Sequence, residues 1–585
     1  MGRTRKNSSP LPVLPFRSRG RHPGTPSASG RAARRPAARL AVALTALALL
    51  ATAGCGSGDD DGGAGGNASK TPEASKVPGP KGPDRTGPAP SAVPAVRHWK
   101  AERGPGWQRT KYTRVVTDDR ALRDEAELLA EELKVPVAKG PAHAWDIELK
   151  RDAGNSGNGD GKNGKNGKDG KGGKESYELT SRKGRITITG GGDAGVFYGT
   201  RTLLQTYRDQ GRFADGTVRD EPDRPQRGFM LDIARKHYPA EWIEARIREM
   251  GDLKLNQLQL HLSDDQAFRI ESSTHPEVVS DPHLTKKQVR RIIELAESRH
   301  ITVVPEIDSP GHLGAVIKAH PDLQLTSASG KPAQGAVDIS DPKAAKIVDD
   351  LLGEYADLFP GRYAHAGGDE YQALMADDPE ATYPGLAKKA RDKYGKDAGI
   401  QDLATDWLND RAATLRKHGK MPQVWNDGMH RKGVVKPSRH REVAYWTGTE
   451  YGEREPQEYL KEGWKMLNMN DEYLYYVLGQ PNQFEYPTGE RIYKEWTPAV
   501  VRGKKPVPAK DAGPDRILGG RFAVWGDIAN AQTPEQVADG IRLPLAATAQ
   551  KLWYPGRPKP SWPAFRKLVD GVGTSQKAEP TQSGG

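Results

Sequence analysis

ITVVPEIDSPGH, residues 301–312, holds the pattern on which the fold turns. Its first half, Thr302–Ile307, is a short apolar run of strand length, and the end of the run carries Glu306, Asp308 and His312. Immediately upstream, Lys286–His300 repeats apolar residues at helical spacing. The same alternation starts at Arg227 and continues toward the C-terminus. Strands are expected at Gly228–Asp232, Gln257–Leu262, Thr302–Ile307, Tyr363–Gly367, Gln423–Trp425, Val443–Trp446, Lys465–Asn468 and Phe522–Trp525. Helical patterns lie between several of them, at Glu241–Leu253, Lys286–His300, Ala344–Leu358 and Thr405–His418. Eight strands alternating with helices are what an α/β (β/α)₈ TIM barrel requires, and residues 223–570 are expected to form one.

Polar residues gather where these strands end. The first gives Asp232 and Arg235, the second His261, Asp264 and Asp265, and the fourth His365, Asp369 and Glu370. Later strands give Trp425 and Asp427, Trp446, then Trp525 and Asp527. One such residue is usually a cap, but five or six strands ending this way describe a site on one face of a barrel. His, Asp and Glu can hold a metal. The tryptophans point instead to a carbohydrate, whose apolar faces pack on flat rings, and carboxylates are the means of glycoside hydrolysis. There is no phosphate loop or dinucleotide glycine pattern, and neither a metal nor a cofactor is expected. Asp369 and Glu370 are adjacent, so they can share a site only where the strand has ended, and Gly367-Gly368 permits that turn. Two carboxylates so close are expected to raise one another's pKa, which suits a general acid.

Upstream, residues 107–222 read as a small α+β domain, an antiparallel sheet with helices. Its strands are expected at Tyr112–Thr117, Trp145–Leu149, Tyr177–Ser181 and Arg185–Thr189, its helices at Asp119–Leu133 and Asp193–Tyr207. A Gly-Asn-Lys repeat over 153–174 is a flexible insertion. Residues 55–106 read as a disordered tether and 571–585 as a disordered tail. The formal net charge of +12 is local: residues 1–54 carry ten Lys/Arg and no acid, and 150–174 add +4. The folded remainder is near neutral, which excludes a nucleic-acid surface. The single cysteine, Cys55, follows an apolar run, Leu40–Ala53, too short to span a bilayer. Residues 1–54 therefore read as an export signal, and Thr52-Ala53-Gly54-Cys55 resembles a bacterial lipobox, with Thr52 departing from the usual aliphatic residue. The chain is expected to be exported, either held at the outer side of the cell membrane by a lipid on Cys55 or secreted.

The segments LDIARKHY (231–238), LHLSDDQAF (260–268), VPEIDSPGH (304–312) and HAGGDE (365–370) are followed by VWND (424–427), AYWTG (444–448) and AVWGD (523–527). Together they resemble the family 20 glycoside hydrolases of bacterial, exported type. The resemblance spans about residues 107–560, including the helix GVFYGTRTLLQ, 195–205. It implies a retaining β-N-acetylhexosaminidase acting on glycans that end in N-acetylglucosamine or N-acetylgalactosamine. In that mechanism the substrate's acetamido oxygen attacks the anomeric carbon and forms an oxazolinium ion. Glu370 would be the acid and then the base, and Asp369 would orient the acetamido group. Asp264 and His312 would form a relay behind Glu370, with Asp308 as buttress. Arg235 would bind ring hydroxyls, and Trp425, Trp446 and Trp525 would wall the sugar. Tyr473 would bind the acetamido oxygen and Asp527 the outer hydroxyls.

Two positions depart from the family pattern. Tyr475 stands where an aspartate often follows the tyrosine, and Asp527 where glutamate is common. Both bear on which glycan fits, so a poly-N-acetylglucosamine hydrolase of dispersin type and a lacto-N-biosidase remain open. From another class, a carbohydrate-binding lipoprotein would have no need of a general acid. His237 and His275 read as surface or loop histidines, His365 as a residue orienting the Asp369-Glu370 turn, and Tyr371 as packing or substrate contact.

Overall fold

Eight parallel strands close into a barrel: Gln226–Asp232, Gln257–His261, Thr302–Glu306, Tyr363–His365, Met421–Trp425, Glu442–Tyr445, Met466–Asn468 and Ile517–Trp525. Closure comes from the first and last, with Gln226–Leu231 paired in parallel to Gly519–Val524. The computed structural model describes residues 79–80, 84–152, 173–448, 454–556 and 560–573. The export signal, Cys55, most of the expected tether, the centre of the 153–174 insertion and the end of the tail lie outside the described residues. Among the described residues, no helix is long and apolar enough to cross a membrane.

The barrel strands are buried on both faces, as parallel sheets covered by helices must be. In QLQLH, Leu258 and Leu260 join the apolar layer under the surrounding helices. The alternate residues fill the barrel interior with hydrogen bonds. Arg521 donates to Gln257 and Gln423, both at 2.7 Å, and to Gln259. Gln226 and Gln423 donate to Glu442, and Gln259 donates to Glu306 at 2.6 Å. Buried polar groups are tolerated because each has a partner. This polar column rises through the barrel to the strand ends.

The small domain is a seven-stranded mixed sheet in the order His98–Ala101, Gly216–Asp220, Tyr177–Arg182, Arg185–Gly190, Ile147–Arg151, Val115–Val116, Val137–Ala138. The first three pairings are antiparallel and the last three parallel. Helices Arg123–Leu133 and Asp193–Gln210 supply apolar residues to its core. The C-terminal part of the expected tether is structured instead. Arg85–Thr86 pairs with Arg103–Gly104, and His98–Ala101 forms the sheet's edge strand. Val93 is buried, with its N–H and C=O bonded to the Gln205 side chain. A segment poor in apolar residues can still be fixed by backbone hydrogen bonds, which composition does not show.

The two domains meet through buried charge. Lys254 follows the first barrel helix and is fully buried; its ammonium donates to Thr202 at 2.8 Å and Tyr177 at 3.0 Å, and lies 3.5 Å from Asp220. Burial pulls Lys254 down to about 8. Arg227, at the base of the first strand, is paired with Glu175 at 2.7 Å and packs over Trp553.

Candidate active site

The strand-end residues converge on a cavity of about 590 Å³, lined by Arg235, His312, Asp369, Glu370, Trp446, Trp525 and Asp527. The turn after the fourth strand is forced. Gly367 and Gly368 have φ of +67° and +109°, and a Cβ on Gly367 would lie 1.6 Å from Asp308 Oδ1. That oxygen accepts from Gly368 N at 2.8 Å. Glu370 itself has φ +47° and His312 has φ +56°. Two non-glycine residues held in the left-handed region of one site are the kind of strain that surrounding structure must impose. Part of that structure is Asp427, which accepts from Glu370 N at 3.0 Å and from Trp446 Nε1 at 3.1 Å.

His312 is the centre of the electrostatics. Its Nδ1 lies 3.3 Å from Asp264, and its Nε2 lies 3.4 Å from Glu370 and 3.6 Å from Asp369. Burial alone would lower its pKa, but the Asp264 and Asp369 carboxylates raise it well above the ordinary histidine range. Burial likewise opposes the charge on Asp264, yet His312, His261 and Arg235 hold it well below the usual carboxylate range. The expected mutual raising of Asp369 and Glu370 does not occur at Glu370. The hydrogen bond from His312 holds Glu370 below its ordinary value, because an imidazolium outweighs a neighbouring anion. The raised carboxyls are Asp308 and Asp427, pushed well up by burial and by Asp369.

The rest of the expected set divides by depth. Arg235 bridges Asp232 at 3.0 Å and Asp264 at 2.8 Å, with its guanidinium over the Trp525 ring. Asp264, Asp308 and Trp425 lie behind the cavity lining. Trp425 donates to Glu306 at 2.8 Å and supports Trp525 at a centroid distance of 5.9 Å, so it backs the wall rather than forming it. Beneath them, Glu306 lies 3.2 Å from both His261 and His365. Burial raises the Asp527 carboxyl against the pull of Arg235. Asp308, His312 and Asp369 are close enough together to hold a cation.

Tyr473 stands away from the cavity. It is buried, its hydroxyl donates to Glu495 at 3.0 Å, and Arg491 sits over its ring; it is not in the cavity lining. Tyr475 lines the cavity instead, stacked on Trp446 at 5.8 Å and 3° and on Phe484 at 6.4 Å. Burial, and after it the Asp471 carboxylate, raises its pKa well above the ordinary tyrosine range. Asp471–Leu474 is a helical turn, and Tyr475–Val477 then adds a ninth strand beside the upper half of the last. In that strand Val477 lies two places on and also lines the cavity. Val477 was not singled out in the sequence, and Asp427 stood out there only as a strand-end acid.

Against family models, residues 225–555 match the glycosyl hydrolase family 20 catalytic domain and residues 89–221 match domain 2 of the same family. The chain is similar to a lacto-N-biosidase of Bifidobacterium bifidum, 28% identical over 493 residues, covering 83% of this chain and 42% of that one. It is similar to a beta-hexosaminidase of Porphyromonas gingivalis, 29% identical, covering 58% of this chain and 45% of the relative. The chain therefore spans less than half the length of each of these two relatives. In fold it resembles a GH20 beta-N-acetylhexosaminidase from Streptomyces coelicolor, with TM-score 0.65 and 24% identity over 83% of this chain and 96% of that one.

Proposed function

Because this chain belongs to glycosyl hydrolase family 20, we propose that it hydrolyses β-linked N-acetylglucosamine or N-acetylgalactosamine from the non-reducing ends of glycans, with retention. The observation that carries the reading is the Asp369-Glu370 turn, held in the cavity beside His312 and walled by Trp446 and Trp525. The acetamido oxygen of the bound sugar attacks the anomeric carbon while Glu370 gives its proton to the departing glycosidic oxygen. Water then attacks the anomeric carbon of the oxazolinium ion, Glu370 takes a proton from it, and the bond from that carbon to the acetamido oxygen breaks, restoring the acetamide. A nucleophile already tethered to the sugar gains the entropic advantage of proximity. Asp369, 3.6 Å from His312 Nε2, faces the acetamido nitrogen and balances its positive charge. The Tyr475 hydroxyl takes the acetamido oxygen, the role first expected of Tyr473.

In the unliganded site the proton that Glu370 needs rests on His312, 3.4 Å away. Glu370 is about a third exposed. A bound sugar strips that water, disfavours the carboxylate and draws the proton across. Replacing Glu370 by Gln is expected to cost about 10²–10⁴ in turnover of alkyl or oligosaccharide substrates. Aryl glycosides with acidic phenols should lose much less, because they leave without a proton. Equal losses on both kinds of substrate contradict the assignment.

A second reading, release of a disaccharide, has its own support. Val477 stands where an outer acid would close the site, and the cavity continues to Phe484 and Asn482. We also propose that the chain is exported and anchored through a lipid on Cys55, on the strength of the apolar run and Ala53-Gly54-Cys55.

A further inference from the structure

We propose that His275, Glu277 and His320 form a zinc-class divalent-cation site, apart from the catalytic centre and independent of the function proposed above. Glu277 Oε1 lies 2.9 Å from His275 Nδ1 and 3.0 Å from His320 Nε2. All three ligand atoms fall within 4.8 Å of one another. Tetrahedral zinc, with bonds of about 2.0–2.2 Å to nitrogen and oxygen, needs its ligands roughly 3.3 Å apart. The two contacts of Glu277 must therefore open by only a few tenths of an ångström to admit the ion. The other nitrogen of His275, Nε2, lies 3.1 Å from Asp350 Oδ2. A carboxylate behind a ligating imidazole fixes its tautomer and raises its basicity, the usual outer partner at such sites. Two imidazoles and one carboxylate suit zinc better than calcium or magnesium, which prefer oxygen alone.

The position gives the site a consequence. His275 and Glu277 belong to the loop after the second barrel strand, which also carries Asp264. His320 ends the short helix Gly314–Ala319, which starts two residues after His312. Asp350 lies on the helix Pro342–Leu358. An ion there ties together the two loops whose Asp264 and His312 stand behind Glu370. The side chains of His275 and His320 are 15% and 19% exposed, so the ion has access and a free coordination position.

The test uses the full chain, stripped with a chelator and titrated with zinc chloride by calorimetry, with zinc counted after dialysis. The expected result is one saturable zinc per chain, lost in His320→Ala and weakened at least about tenfold in Glu277→Gln. Circular dichroism and turnover of an aryl N-acetylglucosaminide show that both variants are folded. Zinc should also raise the thermal midpoint of the parent and not of His320→Ala. Absence of saturable uptake by the parent overturns the proposal. So does unchanged uptake by a folded His320→Ala, which would place the ion on the Asp308–His312–Asp369 trio instead.

Discussion

At the scale of single residues, the site separates proton storage from proton delivery. His312 is raised by the Asp264 and Asp369 carboxylates, and it in turn lowers Glu370 across a 3.4 Å contact. With the carboxylate lowered and the imidazolium raised, the proton the two groups share favours the imidazole and is lost as pH rises through the elevated imidazolium range. Activity should therefore persist above the pH at which an ordinary carboxylic acid is deprotonated. In His312→Asn the store is gone, and Glu370 alone must hold its proton. The alkaline limb of kcat/KM is expected to move to lower pH, toward the carboxyl range; an unmoved limb contradicts the relay. None of this electrostatic order was legible in the HAGGDE motif. The adjacency of Asp369 and Glu370 was visible, and so was the glycine turn. The cation that reverses their expected coupling arrives from the loop of another strand. Asp427 was visible as a strand-end acid, but its role rests on two long-range bonds, to Glu370 N and Trp446 Nε1.

At the scale of elements, the eight barrel strands were readable because each is a short apolar run buried on both faces, and the structure places all eight within a few residues of the expected spans. The element that escaped is Tyr475–Val477. Tyrosines two apart can serve the same face of a strand, so NMNDEYLYY could not say which one enters the site. The helical turn Asp471–Leu474 decides it by delaying the strand to Tyr475. The residue opposite the outer hydroxyls is then Val477, paired with Trp525. Sites that hydrogen-bond a hydroxyl reject analogues strongly, and an apolar wall does not. The protein is expected to cleave, besides an aryl N-acetylglucosaminide, at least one of three others: the N-acetylgalactosaminide, a lacto-N-biose glycoside or a poly-N-acetylglucosamine oligomer. Val477→Asp should shift the ratio toward the N-acetylglucosaminide by about tenfold or more. Strict action of the parent on terminal N-acetylglucosamine, or an unchanged ratio in the variant, contradicts this account of the wall.

At the scale of the molecule, a catalytic barrel is buttressed by a mixed sheet through Lys254, Arg227 and Trp553. Barrel and small domain were both legible as rhythms of apolar residues. The edge strand His98–Ala101 was not, because it is tied by backbone bonds in a polar, proline-rich stretch. The N-terminal region carries the proposal about location: with a lipid on Cys55, the protein should partition with membranes into detergent. Cys55→Ser should free it or block its processing, and unchanged partitioning of that variant rules the anchor out. The whole site, from the Arg521 column to the Trp446–Tyr475 stack, serves one claim, that a sugar bearing its own nucleophile is converted to a bicyclic cation. A stable thiazoline analogue of that intermediate tests the claim most directly, through its competitive inhibition constant against an aryl N-acetylglucosaminide. Transition-state and intermediate mimics bind about 10² or more times tighter than ground-state ligands, and the account predicts such a gap over N-acetylglucosamine. A thiazoline that binds no more tightly than N-acetylglucosamine contradicts it.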